Sequence, residues 1–167
     1  RYFEEDRDTD AVIMVGEVRD RETAGVAVEA ALTGHLILST IHAGHAPEVV
    51  VRLLDLGIEP YQAASSLSAA MSQRLVRRVC PHCMEPHEPG KELLKEFEAI
   101  IPDNPRFMKG EGCSKCHGTG YLGRTAIAEI IEVDSSWTEL IRSRPSSSEA
   151  RQFARDRGMT TMKDDGG

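Results

Sequence analysis

Apolar positions along the chain switch between two spacings, and each switch marks an element. The run Ala11–Val15 (Ala-Val-Ile-Met-Val) is apolar and rich in β-branched residues, and Gly16 and Glu17 close it. An unbroken run of this kind predicts a strand buried on both faces, as in a parallel sheet. From Ala24 to Leu32 apolar residues recur at helical spacing, and Gly34 ends the pattern as a left-handed cap does. His35–Thr40 is a second short strand, with Ile41 and His42 after it. Strand, helix, strand is the βαβ unit, whose chemistry gathers where parallel strands end.

The pattern continues past a turn at Ala43–Pro47. Val49, Val50, Leu53, Leu54 and Leu56 form a helical stripe stopped by Gly57. Pro60–Met71, rich in alanine, predicts a helix packed closely on the sheet, and Gln73–Val79 predicts a strand. A short amphipathic helix (Leu93, Leu94, Phe97, Ile100, Ile101) is expected between Pro89-Gly90 and Pro102. Gly118–Gly123 is a glycine-punctuated turn, and Arg124–Val133 alternates enough to predict a strand. Two helices follow, one through Trp137, Leu140 and Ile141. The other starts near Ser146–Ser148, with Glu149 as its capping acid and Phe153 inside it. Arg1–Asp10 is a charged lead-in without periodicity, and no internal repeat is visible.

Composition narrows the classes. A chain of 167 residues suffices for one domain with a core, or a domain plus a small module. Its net charge of −7 disfavours a sequence-independent nucleic-acid binder, which needs a basic face, and 5% aromatic residues leave few platforms for stacking bases. No apolar run approaches the ~20 residues of a membrane span. The acidic start without methionine reads as a fragment lacking a signal peptide. Four cysteines in two close pairs point to the cytosol and a metal, not to disulfides.

Three groups of residues carry candidate chemistry. Glu17, at the end of a strand, is either an acid paired with Arg19 or Arg21, or the holder of a water beside a metal-bound phosphate. His35 and His42 bracket the next strand with Ser39 and Thr40 at its end, so an acid, two imidazoles and hydroxyls are expected near one rim. Arg52 is read as a solvated charge on its helix, and Arg74, Arg77 and Arg78 as salt-bridged or subunit-facing.

Cys80-Pro-His-Cys83 and Cys113-Ser-Lys-Cys116 are two CxxC knuckles at zinc-ribbon separation. Four thiolates complete a tetrahedral zinc shell with no position open to substrate, so the site reads as structural. Metal binding in such modules is worth on the order of 10 kcal/mol, enough to decide whether they fold. Rival readings are a redox dithiol, a ligand drawn from His82, His87 or His117, and a chance match of Cys113–Gly120 to the CxxCxGxG repeat of zinc-binding co-chaperones.

Val12–Thr23 (Val-Ile-Met-Val-Gly-Glu-Val-Arg-Asp-Arg-Glu-Thr) resembles the Walker B box of the bacterial secretion and type IV pilus assembly ATPases, and Leu32–His42 resembles their His box. Asp8-Thr9-Asp10 is similar to the tripeptide that precedes the box, and the likeness runs through nearly the whole chain. The resemblance implies an α/β fold: the C-terminal half of a RecA-like P-loop ATPase domain, an inserted tetracysteine zinc module, and C-terminal helices. The expected divisions are 1–79 for the partial ATPase core, 80–120 for the zinc module, and 121–167 for the last strand and helices.

It implies that Glu17 orients the attacking water and supports magnesium, and that His42 faces the terminal phosphate with His35 beside it. Arg52 would lie near the nucleotide or a subunit boundary. The paired knuckles are similar to those of type II secretion and pilus-extension ATPases, and generally absent from the retraction ATPases. ATP, Mg²⁺ and structural Zn²⁺ are the implied cofactors. A homo-hexamer on inner-membrane platform proteins, at the cytoplasmic side, is the implied assembly. No GxxxxGK[ST] loop occurs, so the P-loop is expected before Arg1 and little activity from this chain alone. The alternative is a non-enzymatic zinc-stabilised adaptor in which Glu17 and the histidines are structural.

Overall fold

The computed structural model describes residues 12–97, 101 and 105–166. The expected lead-in Arg1–Asp10, its Asp8-Thr9-Asp10, and Ile100 and Pro102 of the expected insert helix lie outside them. Contacts divide the chain into two compact units, one of residues up to Ser72 with Ile130–Met159, the other of Gln73–Glu129 with Thr160–Gly167. The sequence boundaries after residues 79 and 120 both fall inside the second unit.

In the first unit, β1 (Val12–Val18), α1 (Arg21–Leu32) and β2 (Leu36–Ile41) form the expected βαβ unit. Asp20 caps α1 by accepting the Thr23 N–H at 2.8 Å, and Gly34 takes a φ of 99° after it. The strands run parallel, with Val12 opposite Leu36 and Val15 opposite Ser39. Beyond Val15 the register shifts, so that Val18 faces Ile41. The extra residue on β1 is a bulge at Gly16-Glu17, a device that re-aims a side chain.

The two-sided burial expected of these strands is not seen among the described residues of this chain. Met14 is 78% exposed, and Val12, Leu36 and Leu38 are exposed with it, while Ile13 and Val15 are half-buried. Among the described residues α1 covers one face of the pair, and nothing in this unit covers the other.

A correction concerns the Pro60–Met71 helix. It ends early, as α3 (Pro60–Ser66), after α2 (Glu48–Asp55). The chain is extended again from Leu67, and Ala69 opens β3 (Ala69–Val79). Consecutive serines give α3 a weak end, and pairing of β3 with the later strand β6 (Tyr121–Glu132) overrides the helix preference of Ala69-Ala70. The alanines of α3 do permit close packing, but on the helices α1, α2 and α5 (Ser135–Arg142) in place of the sheet.

The core of this unit joins Val18, Ala24 and Val28 to Val50, Ile58, Ala63 and Ala64, and to Trp137, Ile141, Ala150 and Ala154. Trp137 meets Phe153 edge to face at 4.9 Å, locking α5 to α6 (Ser147–Asp156). The predicted capping box is present: Ser146 Oγ accepts the Glu149 N–H, and Glu149 Oε2 accepts the Ser146 N–H.

In the second unit, β4 (Met84–Pro86) and β5 (Met108–Gly110) pair antiparallel, with Met84 opposite Gly110. The insert helix, α4, covers Lys91–Phe97, and Ile101 lies beyond it in a bend. The chain closes with α7 (Met162–Asp165), whose Met162 N–H donates to buried Glu129 while Asp165 accepts the Ala128 N–H at 2.8 Å. The buried apolar side chains described in this unit are Cys80, Cys116 and Met162 alone, too few for a core of its own.

Candidate functional site

The bulge in β1 decides what Glu17 does. One carboxylate oxygen, Oε2, meets Arg19 at 2.5 Å, as the i, i+2 spacing on a strand allows. The other, Oε1, lies 3.0 Å from His42 Nε2 but out of hydrogen-bond alignment. That oxygen is buried and, among the described residues, has no hydrogen bond. The Arg19 hydrogen bond, with the charges of Arg19 and His42, holds the carboxyl below the usual glutamate range against the opposing effect of burial. Glu17 is therefore an ionised carboxylate with one oxygen hydrogen-bonded and, among the described residues, one that is not.

His42 leaves the C-terminal end of β2 with its ring 85% exposed, and Thr40 Oγ1 donates to Gly16 O at 2.8 Å, tying that end to the bulge. The loop after His42 is held by Glu48, whose Oε2 accepts the Gly44 and His45 N–H groups at 3.0 and 3.2 Å. Sequence reading missed Glu48. An acid in the first turn of a helix, just behind a proline, was the signal that could have found it.

The structure does not bring His35 to this place, which corrects the expectation of two imidazoles at one rim. His35 precedes β2 and lies at its far end, where Nδ1 sits 3.2 Å from Ala30 O and 3.2 Å from Thr33 Oγ1. At ~3.3 Å per residue, its Cα stands roughly 20 Å from that of His42. Arg52 is exposed on α2 and forms no ion pair among the described residues.

The four cysteines make the second cluster. Their sulfurs lie within 4.8 Å of one another, with Cys80–Cys113 at 4.0 Å and Cys83–Cys116 and Cys113–Cys116 both at 3.8 Å. Four thiolates around a metal at ~2.3 Å have edges of about 3.8 Å, whereas a disulfide needs about 2.05 Å. All four are free, and His82, His87 and His117 stand outside the group. The arrangement can hold a tetrahedral metal ion.

Within it, the Cys113 and Gly120 N–H groups donate to Cys116 Sγ at 3.2 and 3.3 Å. The Cys113 amide leads in bringing that thiol down to about 6. Burial pushes the Cys83 thiol up to about 12.

Among the described residues no helix is long and apolar enough to cross a membrane. The chain is similar to the type IV pilus assembly ATPase PilB of Thermus thermophilus, at 46% identity over 93% of this chain and 18% of that protein. To the type II secretion system ATPase E of Vibrio cholerae it is 49% identical, over 79% of this chain and 26% of that one. The chain thus spans about a quarter or less of the length of these relatives. In fold it is similar to the ATPase DotB of Legionella pneumophila, with a TM-score of 0.56 at 19% identity over 92% of this chain and 33% of that chain. Residues 7–167 match the sequence pattern described as "Type II/IV secretion system protein", and the chain belongs to that family.

Proposed function

We propose that this chain is the C-terminal part of a RecA-like ATPase core, with a zinc-pinned module, from a hexameric motor of type II secretion or type IV pilus assembly. The observation that carries the reading is the unsatisfied Oε1 of Glu17, buried at the end of a parallel strand pair with His42 Nε2 3.0 Å away. An ionised carboxylate oxygen without a donor fits a water molecule or the shell of a hard cation. The adaptor reading would have both oxygens of Glu17 spent on structure, and only Oε2 is.

In this proposal Arg19 holds Oε2 so that Oε1 keeps one direction. Oε1 accepts a hydrogen bond from the attacking water and orients it, since a carboxyl held this acidic is a weak general base. His42, exposed beside it, offers a donor to the terminal phosphate. Bound magnesium would supply charge neutralisation on the phosphates. The phosphate-cradling loop belongs to a segment other than this one, since no GxxxxGK[ST] occurs here. His35, away from that pair, and Arg52, without an ion partner among the described residues, are proposed to act toward nucleotide only across a boundary between subunits.

Zinc at Cys80, Cys83, Cys113 and Cys116 would replace the missing core of the second unit. The motor is placed at the cytoplasmic side of the bacterial inner membrane, working on platform proteins there. The test is Glu17→Gln in the intact protein, read by phosphate release and by nucleotide binding. Loss of turnover with binding kept supports the assignment, and retained hydrolysis overturns it.

A further inference from the structure

We propose that Gly110 and Gly120 form a backbone-on-backbone contact that positions both cysteine knuckles around the metal, making these glycines part of what holds the metal site in shape. The inference rests on the four-thiolate site proposed above. A Cβ on Gly110 would stand 2.0 Å from Gly120 O, and one on Gly120 would stand 2.3 Å from Gly110 O. Both collisions are with main chain, which no side-chain rotation relieves. Gly120 also takes a φ of 75°.

One residue thereby serves both knuckles. Gly120 N–H donates to Cys116 Sγ at 3.3 Å, while Gly120 O accepts the Cys80 N–H at 2.9 Å. Gly110 is the last residue of β5, and the next residue, Glu111, donates its N–H to Cys83 O at 3.0 Å. A second pair repeats the device one step further on, where a Cβ on Gly112 would meet Gly118 O at 2.7 Å. The segments before Cys113 and after Cys116 are thus closed on each other with no side chain between them. Amide donors to a ligating sulfur orient it and stabilise its anionic form, the work of an outer shell.

The test uses the whole chain loaded with cadmium-113. In the parent chain an amide proton that hydrogen-bonds a ligating sulfur shows a scalar coupling to the metal, so Gly120 and Cys113 N–H should both be coupled. Gly110→Ala should weaken cadmium and zinc binding by ~10–100-fold and remove the Gly120 coupling while the Cys113 coupling persists. Gly90→Ala, at a glycine with open space around it, should leave both couplings and the affinity as in the parent.

If Gly110→Ala binds metal as the parent does with the Gly120 coupling intact, the proposal is overturned and the thiolate site stands. Should that variant not fold even with excess metal, the parent spectrum decides, because a missing Gly120 coupling there overturns the proposal. A chain that takes up no cadmium overturns the metal site itself.

Discussion

His42 Nε2 stands 3.0 Å from Glu17 Oε1, although the two residues leave different strands. The bulge at Gly16-Glu17 makes this meeting, because it advances β1 by one residue relative to β2 just before the strands end. In the intact protein the proposed role of Glu17 predicts that Glu17→Gln lowers turnover at least ~100-fold with nucleotide binding kept, since the amide would keep the shape and lose the charge proposed to orient water. Steady-state kinetics beside equilibrium nucleotide binding will check it.

The pH profile of the same protein separates Glu17 from other groups. Its carboxyl is held down first by the Arg19 hydrogen bond, so the acid limb it causes should lie below the ordinary glutamate value of about 4.3. Arg19→Gln should move that limb upward. A limb that stays in place would mean that Arg19 does not hold the carboxylate in solution.

Asp134 begins α5 by accepting the Ser136 and Trp137 N–H groups, both at 3.0 Å, and pairs with Arg157. The Trp137 amide, ahead of the Arg157 charge, keeps its carboxyl below the usual aspartate range. A depressed folded value contributes stability above the unfolded value that is lost as pH falls through the folded one. Asp134→Ala should therefore lower the thermal midpoint at pH 7 and flatten the loss of stability below about pH 4, as thermal melts at several pH values will show.

Trp137 is 3% exposed and faces Phe153, so Trp137→Ala should cost ~3–5 kcal/mol, near the whole stability of a small unit. Urea unfolding by circular dichroism measures it. Met14, by contrast, is 78% exposed, and Met14→Gln in this chain should change stability by no more than about 0.5 kcal/mol. A residue buried on both sides of its sheet would lose several times that.

Removing the metal should unfold the second unit selectively. With Cys80, Cys116 and Met162 its only described buried apolar residues, a strong chelator or Cys116→Ser should abolish the native amide dispersion of residues 80–120. The dispersion of the first unit, which owns its core, should stay. Metal analysis of the parent chain should find about one zinc per chain.

Much of this was legible from residue order, because it is local. Gly34 and Gly57, both with positive φ, end the helices before them as their positions predict. Ser146 and Glu149 show the capping box their spacing announced, and two CxxC turns present paired sulfurs by their own geometry. Less legible was the end of α3, where alanines suit a helix and only pairing with β6 makes Ala69 a strand residue. The placement of His35 also escaped. A strand has two ends, and a histidine before it and one after it cannot share a rim.

Residue order by itself determined the alternation of strands and helices, the caps, the family and the two cysteine pairs. Each depends on neighbours within a few positions, where hydrogen-bond geometry and side-chain period act directly. Tertiary structure alone decided that, among the described residues, one face of β1 is uncovered and Glu17 keeps one oxygen without a hydrogen bond, and that Gly110 and Gly120 touch. These depend on which distant segments meet, and no local period encodes the small shift of register or the missing Cβ that lets them meet.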